Sequence, residues 1–253
     1  MFAELTYFVC LFGYLQGLIP AIETLFPTVE HRFCVKHIYN SFKVDHKGLE
    51  LNDALWRCVV ATTIREFERC MQYIRDLDEK AYEYLANIAP TQSRSHFTPR
   101  TLTDYLVNNL SESFNAMILK SRDKPILAML EWIRVRLMTR LYTKREGLQK
   151  YAGKLCPRIQ DRLEKLKVES KPFSATPAGS FPYEVGSQYE RHVVDLVKKT
   201  CNCRSWDLNG IPCKHAIIAI YTNIETPEDY THPCYFKETY MEIYNEVLYP
   251  MPG

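Results

Sequence analysis

Four residues toward the C-terminal end have the types and spacing of a metal site. Cys201, Cys203, Cys213 and His215 follow the pattern C-x-C-x9-C-x-H within fifteen residues. Thiolate sulfur and imidazole nitrogen are the donors that a tetrahedral zinc ion prefers. Three Cys and one His fill all four positions and leave none for water, which marks a structural ion rather than a catalytic one. One Zn2+ ion is therefore the expected cofactor. The chain has nine cysteines, an odd number, and outside this group they are scattered: Cys10, Cys34, Cys58, Cys70, Cys156 and Cys234. A secreted disulfide scaffold is shorter and evenly paired, so a reducing compartment with one metal cluster fits better. Cys10, Cys58 and Cys70 fall on apolar faces and read as core.

The spacing says which elements must hold these ligands. On a strand, residues i and i+2 point to one face, so Cys201 and Cys203 both reach one ion from a strand end. Gly210 and Pro212 make the turn that returns the second pair. Cys213 and His215 then open a short apolar helix, Ala216 to Tyr221, whose amide groups and dipole favour a thiolate. His192 to Val197 is β-branched and strand-like. A small ββα-like finger results. Lys171 to Ser187 is rich in Pro, Ser, Gly and aromatic residues, which sets the main boundary near residue 172 and divides the chain into 1–171 and 172–253.

The first part reads as mostly helical. Tyr7 to Phe12 and Glu30 to Val35 have the character of short strands, and Leu15 to Phe26 of a helix stopped by Pro27. Leu5 to Ile22 carries no charge, but Thr6, Gly13, Gln16, Gly17 and Pro20 interrupt it and no basic segment precedes it. It is read as strand and helix, not as a membrane span or signal peptide. Helical periodicity places further helices from Lys36, over Leu49 to Thr62 and over Ile64 to Ile88, the last with Phe67, Met71, Ile74 and Leu77 on one face. Thr63 with Glu66 makes a capping box for it. After a polar loop, Pro90 to Arg100, helices follow from Leu110 to Lys120, from Pro125 to Tyr151 with Leu127, Leu130, Ile133, Leu137 and Leu141 facing inward, and from Pro157 to Val168. The fold class is α+β, mostly helical.

Charge is concentrated in one stretch. From Lys120 to Lys171 there are fifteen Lys and Arg against six Asp and Glu, a local excess of +9 in a chain whose net charge is +2. Arg134, Arg136, Arg140, Lys144 and Arg145 are candidates for phosphate contacts, and a solvated helix face is the alternative. Trp132 and the leucines of that helix read as core.

The finger resembles the SWIM-type zinc finger. Val193-Val194-Asp195-Leu196 precedes it, and Trp206-Asp207-Leu208-Asn209-Gly210-Ile211-Pro212-Cys213-Lys214-His215 lies within it. This is similar to plant Mutator-like element transposases and their domesticated relatives of the far-red-response type. The tail His232-Pro233-Cys234-Tyr235 resembles them too. Upstream, Gln16-Gly17-Leu18-Ile19-Pro20-Ala21-Ile22, the His31 to His37 segment, Asn108 to Asn115, Arg122 to Ile126 and Leu130 to Arg134 look like segments of the same proteins. The resemblance implies a ribonuclease H-like core, here partial, with a helical insertion. It also implies a nuclear location and DNA as partner, with no small-molecule substrate.

Such a core carries an Asp, Asp, Glu triad, because two divalent metals must be clamped across an in-line phosphoryl displacement. The second Asp is expected four residues before Gly17, where this chain has Gly13, and the earlier strand for the first Asp is missing from it. Glu112 alone corresponds to a triad member, and a helix first-turn acid is its plainer reading. Cys34 and His37 look like the family's C-x-x-H motif, but two ligands make no site, and a structural role is expected of them. The expectation is a catalytically inactive, zinc-binding transposase remnant. A domesticated DNA-binding transcription regulator and part of an active transposase whose first strand lies upstream of Met1 stay open beside it.

Overall fold

The computed structural model describes residues 9–12, 20, 24, 25, 27, 30–88, 90–99, 102–179 and 182–250. Two compact units emerge: residues 1–109 with 202–210, and residues 110–201 with 211–253.

The first unit begins with β1 (Val9–Phe12) and β2 (Glu30–Phe33), which pair in parallel with Val9 opposite Glu30 and Phe12 opposite Phe33. Both strands lie where the sequence placed them, with β2 two residues shorter than expected because Cys34 caps the next helix and Val35 opens it. Two parallel strands do not by themselves make a ribonuclease H-like core. The helix expected over Leu15 to Phe26 falls mostly outside the described residues, as does Gly13. Among the described residues no helix is long and apolar enough to cross a membrane. Four helices follow: α1 (Val35–Asp45), α2 (Leu49–Val60), α3 (Ile64–Leu77) and α4 (Glu79–Ala86). Their apolar stripes meet in one core of Ile38, Phe42, Leu55, Cys58, Met71, Ile74 and Leu85, so Cys58 is core as expected.

The single helix expected over Ile64 to Ile88 is two. Asp78 adopts an extended backbone, φ −157° and ψ 109°, and ends α3. Its carboxylate then accepts from the Lys80 and Ala81 amides at 2.9 and 3.2 Å and starts α4. These N–H groups have no partner in their own helix, which is why a short acid at this point makes a break stable. The capping pair at the start of α3 forms in a shifted version. Thr63 accepts from the Glu66 amide at 3.3 Å, while Glu66 reaches back to the Thr62 amide rather than to that of Thr63.

The second unit holds α5 (Asn109–Ile118), α6 (Ile126–Gln149), α7 (Pro157–Ser170) and a four-stranded antiparallel sheet. The sheet order is β3 (Ser174–Pro177), β4 (Pro182–Gly186), β5 (Arg191–Asp195) and β6 (Thr200–Cys201). The helix α9 (Lys214–Thr222) covers it, and the short α8 (Ser205–Asn209) precedes α9 in the chain. Leu155, Leu163, Ile211 and Ile217 form the core between α7 and α9, sealed by Tyr235 and Phe236. A last helix, α10, spans Lys237–Ile243.

The long helix α6 corrects one expectation. Pro125 is its cap rather than its first residue. Of the predicted inner face, Leu127 is 68% exposed and Leu130 is also exposed, while Leu148 is its one buried residue. The apolar residues of α6 are spread around the helix rather than gathered on one side, so no single face can be turned inward.

Candidate metal centre

The finger is assembled from a strand end, a tight loop and a helix start. Strands β5 and β6 pair with Val194 opposite Cys201 and Asp195 opposite Thr200. Asp195 closes the connecting turn by accepting from the Lys198 amide at 2.9 Å, and Lys199 takes the left-handed conformation there, φ 54°. Cys201 thus leaves the last strand, buried, with Cys203 two residues on and half-buried.

Arg204 then reverses the chain in a left-handed conformation, φ 61°, which an L residue with a long side chain adopts only when its surroundings hold it there. They do so through its guanidinium, which donates to the carbonyls of Ser95, Phe97 (2.7 Å) and Thr62 (3.4 Å). The Thr62 hydroxyl donates in return to the Cys203 carbonyl at 2.7 Å. Helix α8 follows, with Trp206, Leu208 and Asn209 buried. Leu208 packs in a cluster with Val35, Val59, Phe97 and Leu106. Gly210, φ 71°, makes the turn toward the second ligand pair, its amide donating to the Trp206 carbonyl at 2.8 Å. That left-handed turn is the reason for a glycine here.

Cys213 caps α9. Its sulfur accepts from the Ala216 amide at 3.5 Å, and the amide groups of a helix's first turn favour the thiolate that a metal needs. His215, one residue into the helix past Lys214, turns its Nδ1 toward the sulfurs, 3.7 Å from Cys201 Sγ and 3.9 Å from Cys213 Sγ. One donor atom from each of Cys201, Cys203, Cys213 and His215 lies within 4.8 Å of every other. Zn–S bonds of about 2.3 Å and a Zn–N bond of about 2.0 Å at tetrahedral angles put sulfur and nitrogen about 3.5 Å apart. The observed separations match that figure to within a few tenths of an ångström, and the donor set is the soft one that zinc selects. The four residues fit one zinc ion, as the spacing predicted.

Residues 189–223 match the SWIM zinc finger. No curated protein and no solved structure matches the chain. The SWIM finger contains the four ligands, β5, β6, α8 and α9. It also contains two residues that the sequence reading passed over. Glu190 and His192 group with His215, their carboxylate oxygen and ring nitrogens within 4.8 Å of one another. The only signal was a Glu-x-His pair at strand spacing ahead of Cys201. Lys214 Nζ pairs with Glu190 at 2.9 Å and holds that carboxyl below the ordinary glutamate range.

The other candidate residues are placed as follows. Cys34 is fully buried at the start of α1, its sulfur accepting from the Asn108 amide at 3.3 Å. With His37 it lines a cleft of about 370 Å3 beside Phe33, Ile38 and Tyr84, and among the described residues neither joins a group of three metal donors. Glu112 sits half-buried in the first turn of α5 and joins no such group either.

Of the basic candidates, Arg134 is engaged by Glu131 and by the Leu248 carbonyl at 3.1 Å, and Arg145 donates to Asn245 Oδ1 at 3.3 Å. Arg136, Arg140 and Lys144 follow one another at four-residue spacing along α6 and line a cleft of about 420 Å3. Lys120, Thr139, Thr143 and Trp132 line it too, beside Ala116 and Met117, with the Arg136 guanidinium 5.0 Å from the centre of the Trp132 ring. Trp132, read from sequence as core, is a wall of this cleft and half-buried.

Proposed function

We propose that this chain is a zinc-binding SWIM protein derived from a Mutator-like transposase, catalytically inactive, nuclear, and bound to nucleic acid through the basic cleft of α6. The observation that carries the zinc part is the convergence of Cys201, Cys203, Cys213 and His215. The ion when bound supplies folding energy and no open coordination position. Support for the nucleic-acid part is the row of Arg136, Arg140 and Lys144 with Lys120 in one cleft. Cations spaced by about one helical turn meet successive phosphates without reading bases. Support for inactivity is Gly13, which stands where the resemblance expects an acid.

The test is duplex DNA binding by the zinc-loaded chain between about 50 and 200 mM salt, where contacts of this kind weaken steeply. The combined variant Arg136→Ala, Arg140→Ala, Lys144→Ala should reduce the salt slope by about 3, one for each phosphate contact removed. Strong discrimination between duplex sequences would favour the transcription-regulator reading. Absence of binding at low salt removes the nucleic-acid reading, and robust metal-dependent strand transfer removes the claim of inactivity.

A further inference from the structure

We infer that Glu190 is a positioning residue for the zinc centre: it accepts the Nε2 proton of His215 and so fixes Nδ1 as the atom that binds the ion. The inference rests on the zinc reading above. His215 is 3% exposed, and its two ring nitrogens face different surroundings. Nδ1 faces the sulfurs of Cys201 and Cys213. Nε2 is buried with no partner inside hydrogen-bond distance. A neutral imidazole that binds an ion through Nδ1 carries its proton on Nε2, and a buried N–H demands an acceptor.

Glu190 Oε1, at 3.9 Å, is an acceptor placed to meet that demand. The separation is about 1 Å longer than an ordinary N–H···O bond, a gap that a small rotation of a flexible glutamate closes. Glu190 is free to make that rotation, because its side chain is 42% exposed. Its Oε1 already accepts from Lys214 Nζ at 2.9 Å, and its Oε2 lies 3.2 Å from His192 Nε2. A carboxylate oxygen takes two donors, so His215 can join Lys214 on Oε1. The imidazole plane is held on both sides. His192 stacks on it at 3.7 Å and 20°, and Phe173 meets it edge-on at 4.9 Å and 80°. Ring position is thus fixed by packing, and the choice of ligating nitrogen falls to the carboxylate.

A rival arrangement uses the same atoms. Glu190, His192 and His215 could hold a cation themselves through Nε2 of His215. A neutral imidazole has one lone pair for a metal, so the two sets compete for this residue. Three thiolates with an imidazole outmatch one carboxylate with two imidazoles for zinc, which leaves Glu190 outside the coordination shell.

The experiment measures zinc affinity by chelator competition and records long-range 1H–15N spectra of histidine-labelled, zinc-loaded protein. Wild type should bind about one zinc per chain, with His215 bound through Nδ1 and protonated at Nε2. Glu190→Gln and Glu190→Ala should keep that stoichiometry and bind about 10- to 100-fold more weakly. In Glu190→Ala the Nε2 proton should exchange with water faster. Lys214→Met removes the other partner of the carboxylate and should bind zinc no more weakly than wild type, which separates a role toward His215 from one in the Glu190–Lys214 pair. Glu190 variants within about twofold of wild type, or a spectrum showing Nε2 on the metal, overturn the inference. Zinc retained by Cys213→Ser overturns the zinc reading and the inference with it. A flat Glu190 series beside a zinc-free Cys213→Ser overturns the inference alone.

Discussion

Leu208→Ala should destabilise the first unit by about 3 kcal/mol, a large effect for a residue in the connection between two ligand pairs. Leu208 is 1% exposed and packs with Val35, Val59, Phe97 and Leu106, with Trp56 against the same cluster. Truncation removes three carbons from contact, about 2.4 kcal/mol at roughly 0.8 kcal/mol each. The cavity left behind adds to that, because Val35 on α1 and Val59 on α2 are fixed in their helices and close the space only in part. With a urea dependence of about 2 kcal/mol per molar, the midpoint should fall by about 1.5 M. The three tryptophans are Trp56, Trp132 and Trp206, of which Trp56 and Trp206 lie in this unit. Fluorescence in a Trp132→Phe background therefore follows its unfolding. Val44→Ala, at a side chain 64% exposed in the same unit, is the control and should cost no more than about 0.5 kcal/mol. A midpoint shift below about 0.5 M for Leu208→Ala would refute the claim that this segment is core.

Two further outcomes are expected. Cys213→Ser should lower zinc from about one ion per chain toward zero by elemental analysis, and should reduce far-UV helical signal because the finger loses the folding energy of the ion, although serine can still cap α9. In the second unit Lys167 Nζ lies 2.6 Å from Glu228 Oε1, and Gln160 donates to the same oxygen at 2.9 Å. Burial pushes the Glu228 carboxyl up, and the bonds from Lys167 and Gln160 outweigh it, so the group titrates below its ordinary range. A lowered folded value means that its contribution is full above the unfolded pKa, about 4.3, and fades as pH falls through the folded value. Glu228→Gln should thus cost about 1 kcal/mol at pH 7. The difference from wild type should shrink below about pH 4.3, as read from paired urea midpoints at each pH.

The metal centre was legible because its ligands are close in sequence and its chemistry admits few residue types. The helix that opens at Cys213 followed from the same spacing and β5 from its β-branched residues, whereas β3 and β4 lie in the Pro-, Ser- and Gly-rich stretch read as a domain boundary. Elsewhere, periodicity reported less than it promised. The apolar rhythm of residues 64–88 runs unbroken through Asp78, whose ability to cap two amides interrupts the helix without interrupting the pattern. In α6 the rhythm named an inward face, and the structure leaves Leu127 and Leu130 exposed, because spacing alone does not supply a partner to cover a face. Glu190 was legible only as half of a Glu-x-His pair, which names no partner. Its relation to His215 depends on where β5 and α9 place two side chains twenty-five residues apart, and no local pattern encodes that.

The nine residues between Cys203 and Cys213 look like spare rope in a ligand pattern. Arg204 is fastened by three carbonyls and Leu208 is sunk in a core, so the length of this stretch is set by burial rather than by chelation. Insertions that an exposed metal loop would absorb have nowhere to go here. Variation in length among chains built this way belongs at the exposed residues after α9, Asn223 to Thr226. Engineers who graft new sequences onto zinc loops should treat this one as interior.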